Sequence, residues 1–211
     1  MSTTNLKGFQ AYWTFGHTRA RYFPPETGGL IFQGAPLVNG VFRIDHDQAF
    51  QSTLNLRYQR KNAEWVALTY RYDSGLVVSG VPDSDVALAT LTPAQQTTIG
   101  LSCGSLVATF DMGLGPNDCA GKVVKSKLLV LPQAGQEDDD HNPNRVKPRS
   151  IFNLGIGTDN LFHREGAKRY TASVEITNLT NKVALYNFLS TFSGTHFLQP
   201  RAVVAHMGLV F

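Results

Sequence analysis

The sequence predicts an all-β fold built from about six long antiparallel strands that run up and down. Segments in which apolar and polar residues alternate recur along the chain, whereas helix signals are weak. Charged residues make up 17% of the 211 residues, below the roughly 25% that is usual in soluble domains. This low charge, together with 13 Phe, 7 Tyr and 2 Trp, excludes a disordered tail. The six segments lie near residues 8–16, 49–60, 64–73, 150–160, 168–178 and 201–211.

The first three segments each have one apolar face, because successive side chains of a strand point to opposite sides. The residues between those of the apolar face are mostly polar. The three apolar faces are formed by Phe9, Ala11, Trp13 and Phe15; by Phe50, Ser52, Leu54, Leu56 and Tyr58; and by Val66, Leu68, Tyr70 and Tyr72.

The last three segments follow the same rule, and no charged residue lies on any of the six apolar faces. Such faces are typical of a soluble sandwich and of a lipid-facing barrel alike. The three apolar faces are formed by Phe152, Leu154 and Ile156; by Tyr170, Ala172, Val174 and Ile176; and by Val203, Ala205, Met207, Leu209 and Phe211.

Two segments carry helix signals. Thr92–Ile99 has a capping residue in Thr92, a proline at the first helical position and Gly100 directly after its end. Val183–Phe192 is the second and weaker candidate. The stretch 74–149 is otherwise expected to be one long loop.

The lengths of the connections favour the barrel over the sandwich. The connections between the six segments alternate between long and short, and the longest of them is the stretch 74–149. Outer-membrane barrels show this alternation because their strands run between a side with short turns and a side with long loops. A sandwich has no reason to keep its long connections at one end.

The positions of the aromatic residues favour the same interpretation. Phe9, Tyr58, Tyr170 and Phe211 lie towards the side with short turns. The aromatic residues towards the side with long loops are Phe15, Phe50, Tyr70, Tyr72 and Phe152. Two aromatic bands around a mostly aliphatic belt are what the two interfaces of a bilayer select, with Trp13 and Ser52 as exceptions inside the belt.

The C-terminal residues resemble a known family. Asp159-Asn160-Leu161-Phe162 precedes a strand that runs into Val174-Glu175-Ile176-Thr177-Asn178-Leu179-Thr180-Asn181-Lys182, and an alternating strand then closes on Phe211. This series resembles the C-terminal end of TonB-dependent outer-membrane receptors. The segment 183–197, and less closely 70–75 and 45–48, is similar to the Oar-like subgroup, whose receptors carry an N-terminal carboxypeptidase-regulatory-like domain.

The resemblance implies the C-terminal part of a transmembrane β-barrel in the cell outer membrane, in a receptor for energised nutrient uptake. Its partners would be outer-membrane lipid, the barrel-assembly machinery, the plug and N-terminal strands of the receptor, and the inner-membrane energy-coupling protein. Receptors of this family have about 22 strands, so the chain is interpreted as a terminal segment that is not transport-competent alone.

The resemblance also gives roles to individual residues. Val203, Ala205, Met207, Leu209 and Phe211 would form the signal that the barrel-assembly machinery reads. Four residues are expected to face the lumen of a complete barrel. The alternative is that they form ordinary contacts of the wall with the plug or with water. They are Arg57, Arg71, Glu175 and His206.

Two further features are a possible disulfide and a possible calcium site, and each has a simpler alternative. Cys103 and Cys119 are the only cysteines; on the barrel interpretation they face an oxidising exterior and are candidates for a disulfide, the alternative being two free thiols. Glu137-Asp138-Asp139-Asp140 could offer oxygen ligands to calcium, but consecutive residues seldom converge on one ion, and a solvated loop is favoured.

No motif of a known catalytic or cofactor site occurs in the sequence. The chain is therefore expected to be no enzyme and to need no metal or cofactor. A net charge of +3 requires no nucleic-acid partner. The alternative function is a soluble β-sandwich that binds a ligand with its long loops.

Overall fold

The fold is all-β, as predicted. The computed structural model describes residues 7–22, 42–43, 47–60, 64–78, 80–138, 141–163, 166, 168–190 and 194–211. Within these residues there are strands of two lengths and two short helices. In chain order the elements are β1 (Phe9–Thr18), β2 (Arg21–Tyr22), β3 (Phe42–Arg43), β4 (Gln48–Gln59), β5 (Glu64–Asp73), α1 (Ser84–Thr90), α2 (Pro93–Ile99), β6 (Ser102–Cys103), β7 (Leu106–Val107), β8 (Val124–Lys125), β9 (Leu129–Val130), β10 (Arg145–Val146), β11 (Arg149–Thr158), β12 (Arg169–Thr177), β13 (Leu185–Ser190), β14 (Gly194–Phe197) and β15 (Ala202–Val210).

The six long strands form one antiparallel sheet, called the main sheet below. Its strand order is β1-β4-β5-β11-β12-β15, which is also the order of these strands along the chain. The six predicted segments therefore correspond to six neighbouring strands. Their ends agree with the expectation to within two residues; the largest differences are that β1 continues to Thr18 and that β11 ends at Thr158.

All three long connections of the main sheet leave from the same end. The pairs Thr18–Gln48 and Asp73–Arg149 lie at this end, and so does Thr177, which pairs with Ala202. The short β4–β5 turn lies at the other end, where the backbone N–H of Arg60 donates to the carbonyl of Glu64 at 2.8 Å. The expected alternation of long and short connections thus follows from the antiparallel pairing.

The register brings the apolar faces of neighbouring strands side by side. Cross-strand partners form rows that run across the whole sheet. One row is Phe9, Tyr58, Val66, Ile156, Val174 and Ala205. The next row is Ala11, Leu56, Leu68, Leu154, Ile176 and Val203. We call this surface the apolar face of the main sheet and the opposite surface its polar face.

The stretch 74–149, expected as a loop, folds instead into a small unit with its own core. It contains both helices and the short strands β6 to β10, and the hairpin β13–β14 packs against β10. We call the described residues within 76–148 and 178–198 the cap. Its buried core is formed by Val78, Val81, Ala87, Leu88, Leu91, Ile99, Leu101, Cys103, Ala108, Leu114, Cys119, Val124, Leu129, Val146, Leu185 and Phe188.

The helix predictions were right in one case and wrong in another. In α2, Thr92 and Gln95 form a capping box, and Gly100 ends the helix with a φ of 64°. Residues 185–190 of the second candidate form β13, because the hairpin with β14 buries Leu185 and Phe188; residues 191–192 lie outside the described residues. The sequence prediction missed α1, although Asp83 caps it by accepting from the backbone N–H groups of Asp85 and Val86.

Candidate functional site: an exposed apolar face and a folded cap

The apolar face of the main sheet is uncovered. Trp13 is 64% exposed and Met207 83% exposed, and none of the apolar side chains on this face is buried. The described residues place no second layer over it. Exposed apolar surfaces of this extent mark sites that contact another protein or a membrane.

Aromatic rings lie near both ends of the apolar face. Towards the cap, the rings of Tyr70 and Phe152 are 4.9 Å apart, and those of Phe50 and Tyr72 are 6.1 Å apart. At the other end Phe9 pairs with Tyr58. There the ring of Phe162 lies 5.3 Å from that of Tyr170, edge to face. The rings of these strands therefore lie at the ends predicted for them, and Phe162 is an additional ring that was not predicted.

Trp13 and Ser52, the two residues that interrupt the aliphatic belt, are hydrogen-bonded to each other. Trp13 Nε1 donates a hydrogen bond of 2.7 Å to Ser52 Oγ on the neighbouring strand. Each residue satisfies the polar atom of the other, so neither side chain leaves a polar group unpaired on the apolar face. Such pairing matters most where water is absent, because an unpaired polar group there costs several kcal/mol, roughly.

The residues predicted to face a lumen share the polar face. Arg57 and Glu175 lie in one cross-strand row, joined through Ala67 and Gly155. His206 belongs to the next row, beside Ser173. Arg71 pairs in register with Thr53 and Ile151 on the same face. Side chains of Arg57, Arg71, Glu175 and His206 are exposed.

A cluster around Trp65 occupies the polar face near the short turns. Trp65 Nε1 donates to Asp159 at 3.2 Å, and Gln59 Nε2 donates to the same carboxylate at 3.0 Å. The guanidinium of Arg57 lies 5.0 Å from the Trp65 ring centroid, a cation–π contact. A Cβ on Gly157 would lie 2.7 Å from the indole, so glycine makes room for the ring. The sequence analysis did not identify this cluster.

Buried charges join the cap to the polar face. Asp73, at the end of β5, accepts from Arg149 Nε at 3.1 Å and from Arg71 Nε, and the side chains of Asp73 and Arg149 are buried. Arg149 Nη1 also donates to the carbonyl of Leu185 at 2.8 Å, and its guanidinium lies 5.1 Å from the Tyr186 ring. The hairpin of the cap is therefore held on the polar side of the sheet.

A second buried pair strengthens the same junction. Arg145 Nη2 pairs with the carboxylate of Asp47, whose side chain is fully buried. Arg145 Nη1 donates to the carbonyl of Asp47 at 3.1 Å and to that of Gly75 at 3.0 Å. Neither pair was predicted, because its members lie 76 or 98 residues apart and follow no local pattern.

The disulfide between Cys103 and Cys119 is present, with the two Cα atoms 5.6 Å apart. It joins β6 to the turn that follows residue 115, and both cysteines belong to the core of the cap. A disulfide here is consistent with an oxidising compartment.

An open groove on the cap is lined by lysines. A cavity of about 470 Å³ has Lys125, Lys127 and Lys147 in its wall. A second cavity of about 300 Å³ shares Lys125 and adds Lys122. The sequence signal for this groove, the spacing Lys122, Lys125, Lys127, was overlooked.

The described residues hold no group of three or more His, Cys, Asp or Glu that could bind a metal ion. In the acidic segment Asp138 accepts from His141 Nδ1 at 3.0 Å, while Asp139 and Asp140 lie outside the described residues. The calcium hypothesis therefore gains no support here.

Comparison of the chain with protein-family models found no match, and comparison with curated proteins found no significant match. Within the described ranges, neither helix has the length and apolar character needed to cross a membrane. The case for a function therefore depends on the arrangement of the main sheet and the cap.

Proposed function

We propose that the chain is the C-terminal barrel segment of a TonB-dependent outer-membrane receptor, with the apolar face of the main sheet against lipid. The parent receptor takes up a nutrient with energy relayed from the inner membrane. The segment contributes wall strands and outer loops and does not transport alone. No reaction is assigned to it.

The uncovered apolar face carries this proposal. A soluble sandwich buries such a face against a second layer. In a barrel the same face is satisfied by hydrocarbon, with aromatic rings near both interfaces and polar residues on the inner side. The exposed rings, the Trp13–Ser52 hydrogen bond and the position of Arg57, Arg71, Glu175 and His206 on the opposite face support the second arrangement.

The position of the cap also fits a barrel wall. All long connections lie at one end of the main sheet, as in barrels whose outer loops are long. Asp73 and Arg149 hold the cap on the polar side, which would be the lumen of a complete barrel. The cap would then lie over the outer mouth of the barrel, where the Cys103–Cys119 disulfide meets an oxidising exterior.

The edges of the main sheet fit a partial wall. Among the described strands β1 pairs only with β4, and β15 pairs only with β12. Backbone groups left unpaired in lipid cost several kcal/mol each, roughly, so a barrel wall must close through further strands. The remaining strands of the receptor would supply this pairing, and its plug would meet the polar face with Arg57, Arg71, Glu175 and His206.

The strand β15 keeps its predicted role within this proposal. Val203, Ala205, Met207 and Leu209 lie on the apolar face, all are exposed, and Phe211 directly follows the strand. An exposed alternating strand of this kind is available for recognition by the barrel-assembly machinery.

Adjacent valines of β15 provide a matched test. Val203 lies on the apolar face and is 63% exposed, whereas Val204 lies on the polar face and is 46% exposed. A lysine on the lipid face costs up to about 4 kcal/mol, with the largest cost at mid-membrane depth, whereas one on the inner face costs little. We expect Val203→Lys to reduce flotation of the chain with phosphatidylcholine vesicles at least tenfold, and Val204→Lys to leave flotation unchanged.

The soluble alternative predicts a different result. A sandwich module would stay monomeric in plain buffer, would melt cooperatively and would not float with vesicles. Equal flotation of the two lysine variants would overturn the lipid-facing assignment.

A further inference from the structure

Two neighbouring cavities of the cap carry an unbalanced charge. They share Ser102, Val123 and Lys125 in their walls, and together we call them the groove. Four lysines line them: Lys122, Lys125, Lys127 and Lys147. Within the described part of the chain, no carboxylate lines either cavity. The groove therefore presents positive charge that its own walls do not neutralise.

The lysine side chains on the larger cavity are free to bind. No ion pair joins Lys125, Lys127 or Lys147 to a carboxylate of the described residues. All three side chains are exposed. Lys122 differs, because its Nζ donates to the carbonyl of Asp118 at 2.8 Å. The strongest attraction for an anion is thus expected at the larger cavity.

The backbone beneath these lysines is held in place by the core of the cap. The N–H of Lys127 donates to the carbonyl of Ile99 at 2.9 Å, and that of Lys147 donates to the carbonyl of Leu128 at 2.8 Å. The stem of Lys127 lies over Gly100, where an added Cβ would come within 2.9 Å of it. The backbone of Lys127 and Lys147 is therefore held in place, so an anion that binds has to order only their side chains.

Hydrogen bonds also fix the wall of the groove. The side chain of Gln133 forms two hydrogen bonds with the backbone of Val124. It donates to the carbonyl at 3.0 Å and accepts from the N–H at 3.3 Å. Ser126 Oγ donates to the carbonyl of Ile99 and accepts from the N–H groups of Leu128 and Leu129. The polar groups of Gln133 and Ser126 are therefore used within the cap, and the ammonium groups remain to contact a ligand.

Apolar side chains separate the lysines along the groove. Val123 and Val130 are exposed in its wall, and Leu129 is buried beneath it. An inorganic ion would contact only the ammonium groups. An organic anion would also cover the valines and remove apolar surface from water. The lining thus favours a carbon skeleton that carries several negative charges.

We propose that this groove binds a small organic anion with two or more negative charges. Lysine ammonium groups bind such charges as flexible point charges, whether carboxylate or phosphate. The site belongs to the cap alone, so it does not depend on contact between the main sheet and lipid. Failure of this proposal and failure of the lipid-facing assignment would therefore appear in different experiments.

Calorimetric titration with trimesate, a benzene ring carrying three carboxylates, tests the proposal on the full chain. We expect trimesate to bind more tightly than inorganic phosphate, and benzyl alcohol, which lacks charge, not to bind. Raising the salt concentration should weaken binding, since exposed charges are screened.

Substitutions then locate the site. Changing Lys125, Lys127 and Lys147 to Gln should each weaken trimesate binding about fivefold, the effect of one ion contact in water. Lys182→Gln, an exposed lysine outside the groove, should have no effect. Lys125→Arg keeps the charge and should retain binding, which separates charge from folding.

Three results would overturn the proposal. The first is no trimesate binding by the unmodified chain at millimolar concentration. The second is equal weakening by Lys182→Gln and the groove variants, which would indicate attraction by net charge alone. The third is phosphate binding that is as tight as trimesate binding. This result would mean that contact with Val123 and Val130 does not strengthen binding.

Discussion

Phe188 in the cap is 2% exposed, whereas Phe15 on the main sheet is 72% exposed. The same contrast holds for the two regions as a whole. The cap surrounds its apolar side chains with two helices, short strands and a disulfide, so it has a core of its own. The main sheet has regular pairing, but none of the described residues forms a second layer over its apolar face. The two regions therefore suit different surroundings. The cap encloses a core, although Phe110 and Met112 are exposed on its surface, whereas the apolar face of the main sheet has no buried apolar side chain.

A matched pair of Phe→Ala substitutions should give the largest difference between the regions. Phe188→Ala removes a buried ring and should lower the free energy of unfolding of the cap by about 3–5 kcal/mol. Phe15→Ala removes an exposed ring and should change stability in urea by less than about 0.5 kcal/mol. Urea titrations of both variants test this. Similar losses for the two would mean that Phe15 is covered in solution, and the comparison would fail.

The buried Asp73–Arg149 pair, which joins the cap to the main sheet, should also be sensitive to substitution. Asp73→Ala leaves Arg149 buried without its carboxylate and should cost about 3–5 kcal/mol, as for other broken buried pairs. The double variant Asp73→Leu with Arg149→Met removes both charges and should recover part of this loss. Denaturation of the single and double variants measures the effect. No recovery in the double variant would show that the hydrogen bond of Arg149 to Leu185 matters more than the charge pair.

Removing the disulfide should have a smaller effect that is confined to the cap. Cys103→Ser with Cys119→Ser opens a loop with a sequence separation of 16 and should cost about 3 kcal/mol. Vesicle flotation of the double variant should stay unchanged, because the bond lies outside the main sheet. Reduction of the unmodified chain serves as the control. Loss of flotation would mean that the sheet depends on the cap for its folding.

The main sheet could be predicted from the sequence because its signal is local and repeated. Alternation over nine or more residues fixes which side chains share a face, and each strand pairs with the next long strand along the chain. Even the order of long and short connections followed from the spacing of the segments. The Trp13–Ser52 hydrogen bond could not be predicted, because it depends on the exact register of two strands.

The cap could be predicted only in part. The signals of α2 were complete, from Thr92 to Gly100. The strands β6 to β10 contain two residues each, too few for any periodicity. The pairs Asp73–Arg149 and Asp47–Arg145 join residues far apart in sequence, and nothing local marks them. The lysine groove forms only when β8 and the residues around Lys147 come together.

The two tryptophans of the chain allow the most direct test of the proposed lipid contact. Trp13 lies on the apolar face and Trp65 on the polar face. Trp65→Phe leaves only Trp13, and Trp13→Phe leaves only Trp65. With the chain bound to vesicles of brominated phosphatidylcholine, we predict strong quenching of Trp13 fluorescence and little quenching of Trp65. Equal quenching of the two, or stronger quenching of Trp65, would contradict a lipid-facing apolar surface.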